Sequence, residues 1–154
     1  SDERNGLLLA VSIKSISFAP FGKNLKNRFA DFCTEAITLH LRFPYAVVNA
    51  LFVFPSAADS DTTPGRRIST FSRATRLLAT ISGRREYTDP GEKFENVSML
   101  LFEPLSPTCR QPWTKIINTE TGREVTEDQY FTLLRERFYA RNPHLAVLDD
   151  FAEG

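Results

Sequence analysis

Cysteine is scarce: the chain holds two, Cys33 and Cys109, too far apart for a Cys-x-x-Cys pair. That spacing excludes the common zinc and dithiol redox motifs and predicts free thiols in a reducing, cytoplasmic compartment. Net charge is also missing, because 19 Lys and Arg balance 19 Asp and Glu. No overall field announces a nucleic acid or a membrane, so local clustering must supply any such attraction. No apolar run approaches the roughly 20 residues that span a bilayer, and no basic-then-apolar leader opens the chain. A Gly-rich phosphate loop, zinc-ligand spacing, a G-x-S-x-G elbow, internal repeats and low-complexity segments are absent as well. What is present is ordinary globular composition, 42% hydrophobic and 25% charged over 154 residues, enough for one core in one domain.

Hydrophobic periodicity orders the elements. Residues 7–16 begin apolar and then alternate Val11 and Ile13 against Ser12 and Lys14, the pattern of a strand with one functional face. Asn5-Gly6 before it predicts a type I′ turn, with a partner strand ending near Arg4. The chain opens Ser-Asp-Glu-Arg-Asn-Gly without methionine and enters this strand at once. The expectation is a piece of a longer protein lacking its N-terminal part. After Pro20 and Gly22, Asn24 is placed to cap a helix reaching Arg42, with Leu25, Phe29, Phe32, Ala36, Leu39 and Phe43 stepping by three and four. Pro44 stops it, and the apolar run 45–54 predicts a central strand covered on both faces. A second helix is predicted over 69–82 before Gly83, a strand over 97–102, and a hairpin over 115–125. Thr126 with Gln129 forms a capping-box pattern for a helix to Arg141, ended by Asn142-Pro143, and the acidic end from Asp149 is expected to fray. The order predicts one α/β domain with a mixed sheet flanked by helices.

Lys14 on the first strand, with Asp31 and Glu35 four residues apart on the following helix, is the pattern of interest. Carboxylate oxygens suit a hard divalent cation, and a fixed ammonium beside an attacking water suits phosphodiester hydrolysis. The plainer alternative makes Lys14 a snorkelling surface residue. Asp31 and Glu35 would then be helix-surface partners of Arg28 and Arg42.

Ser12-Ile13-Lys14 on a strand, a helix bearing Asp31 and Glu35, and the buried strand 45–54 together resemble the second half of the core of PD-(D/E)xK nucleases, restriction endonucleases in particular. The stretches Lys26-Asn27-Arg28, Glu35-Ala36 and Arg42-Phe43-Pro44-Tyr45-Ala46-Val47 are similar to proteins described as restriction endonucleases. The resemblance spans about residues 7–103 and implies a restriction-endonuclease-like fold and Mg²⁺-dependent cleavage of DNA, often by a homodimer. Carried onto this chain, it implies that Glu35, with Asp31 as the other candidate, binds Mg²⁺, that Lys14 orients or activates the water, and that Ser12 supports the site by hydrogen bonding. The chain departs from the family in two places. Ser12 stands where the family has an acid, and the aspartate of the preceding strand is missing. Asp2 and Glu3 do not replace it, since the turn parity and a distance of about 20 Å keep them from Lys14. The missing ligand is therefore expected upstream of Ser1.

Arg66, Arg67, Arg73, Arg76, Arg84 and Arg85 form a second pattern, with no acid between the first and the last. Guanidinium forks match phosphate oxygens, so the stretch is a candidate DNA-backbone contact, with Ser69, Thr70 and Ser72 adding donors at a helix start. The alternative is a solvated helix face neutralised by Glu86, Asp89, Glu92 and Glu95. A non-catalytic nucleic-acid or protein-binding domain of the same fold is the competing function. Cys33 and His40, seven residues apart on one helix, read as a core pair rather than as nucleophile and base. His144 has no partner visible in the sequence.

Overall fold

Strand β1 (Leu9–Ser15) leads into helix α1 (Leu25–Arg42), which returns the chain to β2 (Val47–Pro55). A 3₁₀ turn (Ser56–Asp59) and α2 (Thr70–Ala79) follow, then β3 (Asn96–Glu103), β4 (Trp113–Asn118), β5 (Arg123–Val125), α3 (Glu127–Arg141) and α4 (Pro143–Ala152). These coordinates are a computed structural model and describe residues 6–61, 65 and 67–152. The chain is an α/β protein with a five-stranded mixed sheet and four helices among the described residues. No described helix is long and apolar enough to cross a membrane.

The sheet runs β1-β2-β3-β4-β5. Strands β1, β2 and β3 are parallel neighbours, as helical crossovers require, whereas the short connections to β4 and β5 make those pairs antiparallel. Strand β2 lies inside the sheet between β1 and β3 and buries Val47, Val48, Asn49, Ala50, Phe52 and Phe54. Its apolar run, interrupted by Asn49, follows from cover on both faces.

On one face α1 inserts Phe32 and Ala36, both fully buried, against β2. The ring centroids of Phe32 and Phe52 lie 5.3 Å apart, Phe52 stacks on Phe54 at 4.6 Å, and Phe71 of α2 meets Phe54 edge-on at 5.9 Å. Complete burial of one such ring contributes about 2–3 kcal/mol, and truncation to alanine costs about 3–5 kcal/mol. On the other face Tyr130 and Leu134 of α3 pack with Ile116, Leu51, Leu100 and Val125. Helices α1 and α2 therefore cover one side of the sheet and α3 the other.

Local signals explain most element ends. Thr126 Oγ1 accepts from the Gln129 amide and Gln129 Oε1 accepts from the Thr126 amide, completing the predicted capping box. Gly6 has φ +66°, a region that favours glycine, and a β-carbon there would stand 2.7 Å from the Phe43 ring. The strand expected to end near Arg4 lies outside the described residues, as do Asp2 and Glu3.

Two expectations change. Helix α2 stops at Ala79 instead of Ser82, because the amides of Thr80, Ile81 and Ser82 bond three residues back and tighten the last turn. That turn aims Ser82 Oγ at the Val97 amide, 2.9 Å away. The end of the chain, expected to fray, is helical through Ala152. Pro143, which cannot continue α3, is suited by its fixed φ to begin α4.

Candidate functional site

Register brings the predicted pair together. Ser12 lies beside Ala50 and Lys14 beside Phe52 in the parallel β1–β2 ladder. Neighbours opposite each other in a ladder share a face, and Phe52 faces α1, so Ser12 and Lys14 face α1 as well. Glu35 lies three residues after the buried anchor Phe32, nearly one turn along α1. Lys14 Nζ donates to Glu35 Oε2 at 2.8 Å across 21 residues of sequence, and the ammonium stands 5.2 Å from the centre of the Phe32 ring. The side chains are 21% and 37% exposed, so this ion pair is open to water on one side.

Around the pair the predicted residues separate. Ser12 is buried beneath α1 at 8% exposure. Asp31 turns to Arg28, with Arg28 Nη1 3.2 Å from its Oδ2 at the surface. A pocket of about 270 Å³ at the end of β1 is lined by Ser15, Ile16, Ser17, Phe18, Asn24 and Arg28 and leaves Lys14 and Glu35 outside its lining. No group of three His, Cys, Asp or Glu side chains that could hold a metal occurs among the described residues. Magnesium binds through one or two carboxylates together with water and phosphate oxygens. The residues present meet the lower end of that requirement: Glu35 is a half-exposed carboxylate beside a fixed cation, and Asp31 lies one turn away.

The arginine stretch does not form one surface. Arg84 is 2% exposed and donates to Glu95 Oε1 at 2.8 Å and to the Tyr87 carbonyl at 2.7 Å. Its assignment to DNA binding is corrected, since its charge is consumed in the interior. Arg73 is half-buried, with Nη2 bonded to Thr70 Oγ1 at 3.2 Å and packed against Gly22. Arg85 pairs with Glu120 at 3.0 Å. Arg67 and Arg76 are exposed, and Arg66 lies outside the described residues. The start of α2 is no open anion site either, because Asp61 accepts from both the amide and the hydroxyl of the buried Thr70. A carboxylate of the chain already occupies that positive helix end.

What the sequence reading missed is a buried charge cluster on Glu95. One Glu95 oxygen accepts from Arg84 and lies 3.2 Å from Arg141, while the other accepts from the Val48 amide at 2.8 Å and lies 3.3 Å from His40 Nε2. His40 Nδ1 meets the Gly91 carbonyl at 2.8 Å, so the ring bridges α1 to the segment before β3. Burial pushes the Glu95 carboxyl up, but the bonds from His40, the Val48 amide and Arg84 outweigh it and hold its pKa below the usual value. The available signal was an acid between Phe94 and a buried strand, where an unpaired charge cannot remain. Cys33 takes no part in the hydrogen bonds of His40. Burial, followed by the charge of Glu92, raises its thiol pKa, which disfavours a nucleophilic thiolate.

No protein-family model, no curated protein and no solved structure matches this chain.

Proposed function

We propose that this chain is a restriction-endonuclease-like domain acting in metal-dependent hydrolysis of DNA phosphodiesters. The observation that carries the reading is the 2.8 Å contact between Lys14 Nζ and Glu35 Oε2, which joins a strand lysine and a helix carboxylate at a water-accessible position. Mg²⁺, when bound, would supply Lewis-acid polarisation of the phosphate and of a bound water. Glu35 would offer its carboxylate to the ion, with Asp31 as the second candidate, and Lys14 would orient the water and stabilise charge developing on the phosphate. Ser12, on the same face of β1, would support Lys14 from below. Arg67 and Arg76 remain as exposed cations for the DNA backbone, contacts that add affinity without reading sequence.

A second reading is a non-catalytic binding domain of the same architecture. Two observations favour it: Glu35 already neutralises Lys14, and no three-ligand cluster occurs among the described residues. Cleavage of duplex DNA by the intact protein in Mg²⁺ separates the two. Lys14→Ala and Glu35→Gln should each reduce cleavage by about 100-fold or more while DNA binding persists, the pattern of lost transition-state stabilisation. Unchanged cleavage in both variants removes the catalytic assignment. Salt-insensitive DNA binding removes the arginine assignment.

A further inference from the structure

A pocket of about 320 Å³ lies at the opposite end of β1 from Lys14, between the segment leading into β1, the end of α1 and the α3–α4 junction. Six residues at strand rise separate Leu8 in its wall from Lys14 by about 20 Å. Arg42, Arg141 and His144 in its lining bring polar nitrogen, and Leu8, Phe43 and Tyr45 bring apolar surface. No acid is found in the lining among the described residues.

Among the described buried side chains of this region, Arg84, Arg141 and His40 all contact the one carboxylate of Glu95, so two guanidinium charges share a single anion. The side chain of Arg141 is 8% exposed, its Nη2 donates to the Arg85 carbonyl at 2.6 Å, and its Nη1 has no hydrogen-bond partner. A buried guanidinium donor without a partner costs free energy that a hydrogen-bond acceptor brought within its reach would recover. The exposed Arg42 adds a second charge at the rim, where its guanidinium lies 5.3 Å from the Phe43 ring centre. The ten-residue helix α4 begins at Pro143 beside the same space, so its positive end adds to the field.

From these observations we propose that the pocket binds a small phosphate monoester, with its dianion held by Arg42, Arg141 and His144 and its apolar body against Leu8, Phe43 and Tyr45. Two guanidinium groups, the exposed Arg42 and an Arg141 that shares its counter-charge with Arg84, match a dianion better than a carboxylate, and guanidinium forks match phosphate oxygens. The volume is at the small end of ligand pockets, which suits a single nucleotide-sized molecule.

The test titrates the intact protein with 5′-AMP, adenosine and inorganic phosphate, followed by amide shifts and calorimetry. The expected result is that 5′-AMP shifts the amides of Ala46, Asn142 and His144, binds about tenfold or more tighter than inorganic phosphate, and is not imitated by adenosine. Arg141 also braces Glu95, so the exposed pair Arg42→Gln and His144→Gln carries the mutational arm. The double variant, with an unchanged amide spectrum elsewhere, should bind 5′-AMP about tenfold or more weakly. Any one of four results overturns the proposal: no shift at about 10 mM 5′-AMP, equal binding of adenosine or of inorganic phosphate, shifts confined to other surfaces, or undiminished affinity in the double variant.

Discussion

Glu35 and Glu95 are both carboxylates facing cations, yet their surroundings give them different work. Glu35 meets one lysine at a surface open to water, where Coulomb attraction is screened and the pair stabilises the fold by roughly 0–1 kcal/mol. Glu95 is 2% exposed and gathers two arginines, a histidine and a backbone amide, so every charge there depends on the others. The difference teaches that an ion pair marks a candidate reactive centre where water and substrate can reach it, and a structural joint where they cannot. Lys14 and Glu35 are open to water. Glu95 ties α1, β2, β3 and α3 into one body and meets the second condition.

The largest effect that would test this contrast is Glu95→Gln. Removing the carboxylate leaves Arg84 and Arg141 buried without their counter-charge, and a loss of about 3–5 kcal/mol is expected in urea unfolding at neutral pH. A loss below about 1 kcal/mol would place Glu95 in the same class as Glu35 and end the comparison. Acid sharpens it further. Because the folded-state pKa of Glu95 is depressed, its contribution is fully present above the usual glutamate value of 4.5 and is lost as pH falls through the lower folded value. Stability measured from pH 5 downward should fall, and Glu95→Gln should remove part of that slope.

Next in size is Tyr130, a buried polar group without charge in the separate cluster beneath α3. Its hydroxyl has no hydrogen-bond partner, and burial raises its pKa to about 12. Tyr130→Phe should be neutral or stabilising by about 1 kcal/mol, since no bond is lost and a desolvation cost disappears. A loss comparable to that of Glu95→Gln would mean that burial, and not charge, sets the cost at both sites. The smallest stability effect is expected for Lys14→Ala and Glu35→Gln, each under about 1 kcal/mol, although under the proposed function each should reduce cleavage by about 100-fold or more. If either unfolds the protein, the pair is a structural joint and the activity test must be repeated with Lys14→Arg.

Much of the fold was legible because its elements follow local rules. The three-and-four spacing of Leu25, Phe32 and Ala36 predicts the buried stripe of α1, and Thr126 with Gln129 predicts the start of α3 from two side chains. Lys14 and Glu35 were legible as a pair for a similar reason: a strand alternates faces, a helix repeats every three to four residues, and a parallel crossover lays one over the other. Arg84 was misread because sequence neighbours suggested a common surface. A side chain's direction after a helix end is set by the turn at Gly83 and by the partner waiting at Glu95. The pocket at Arg42 and Arg141 had no sequence signal, since its walls come from segments about 100 residues apart.

The amino-acid sequence by itself determined the α/β order, the central buried strand, the helix start at Thr126 and the face shared by Ser12 and Lys14, because periodicity and capping act within a few residues of chain. Only the tertiary structure decided which charges are paired, which are buried and which stay open to water. Those outcomes depend on distances between residues far apart in sequence and on the exclusion of water around them, which no local pattern encodes.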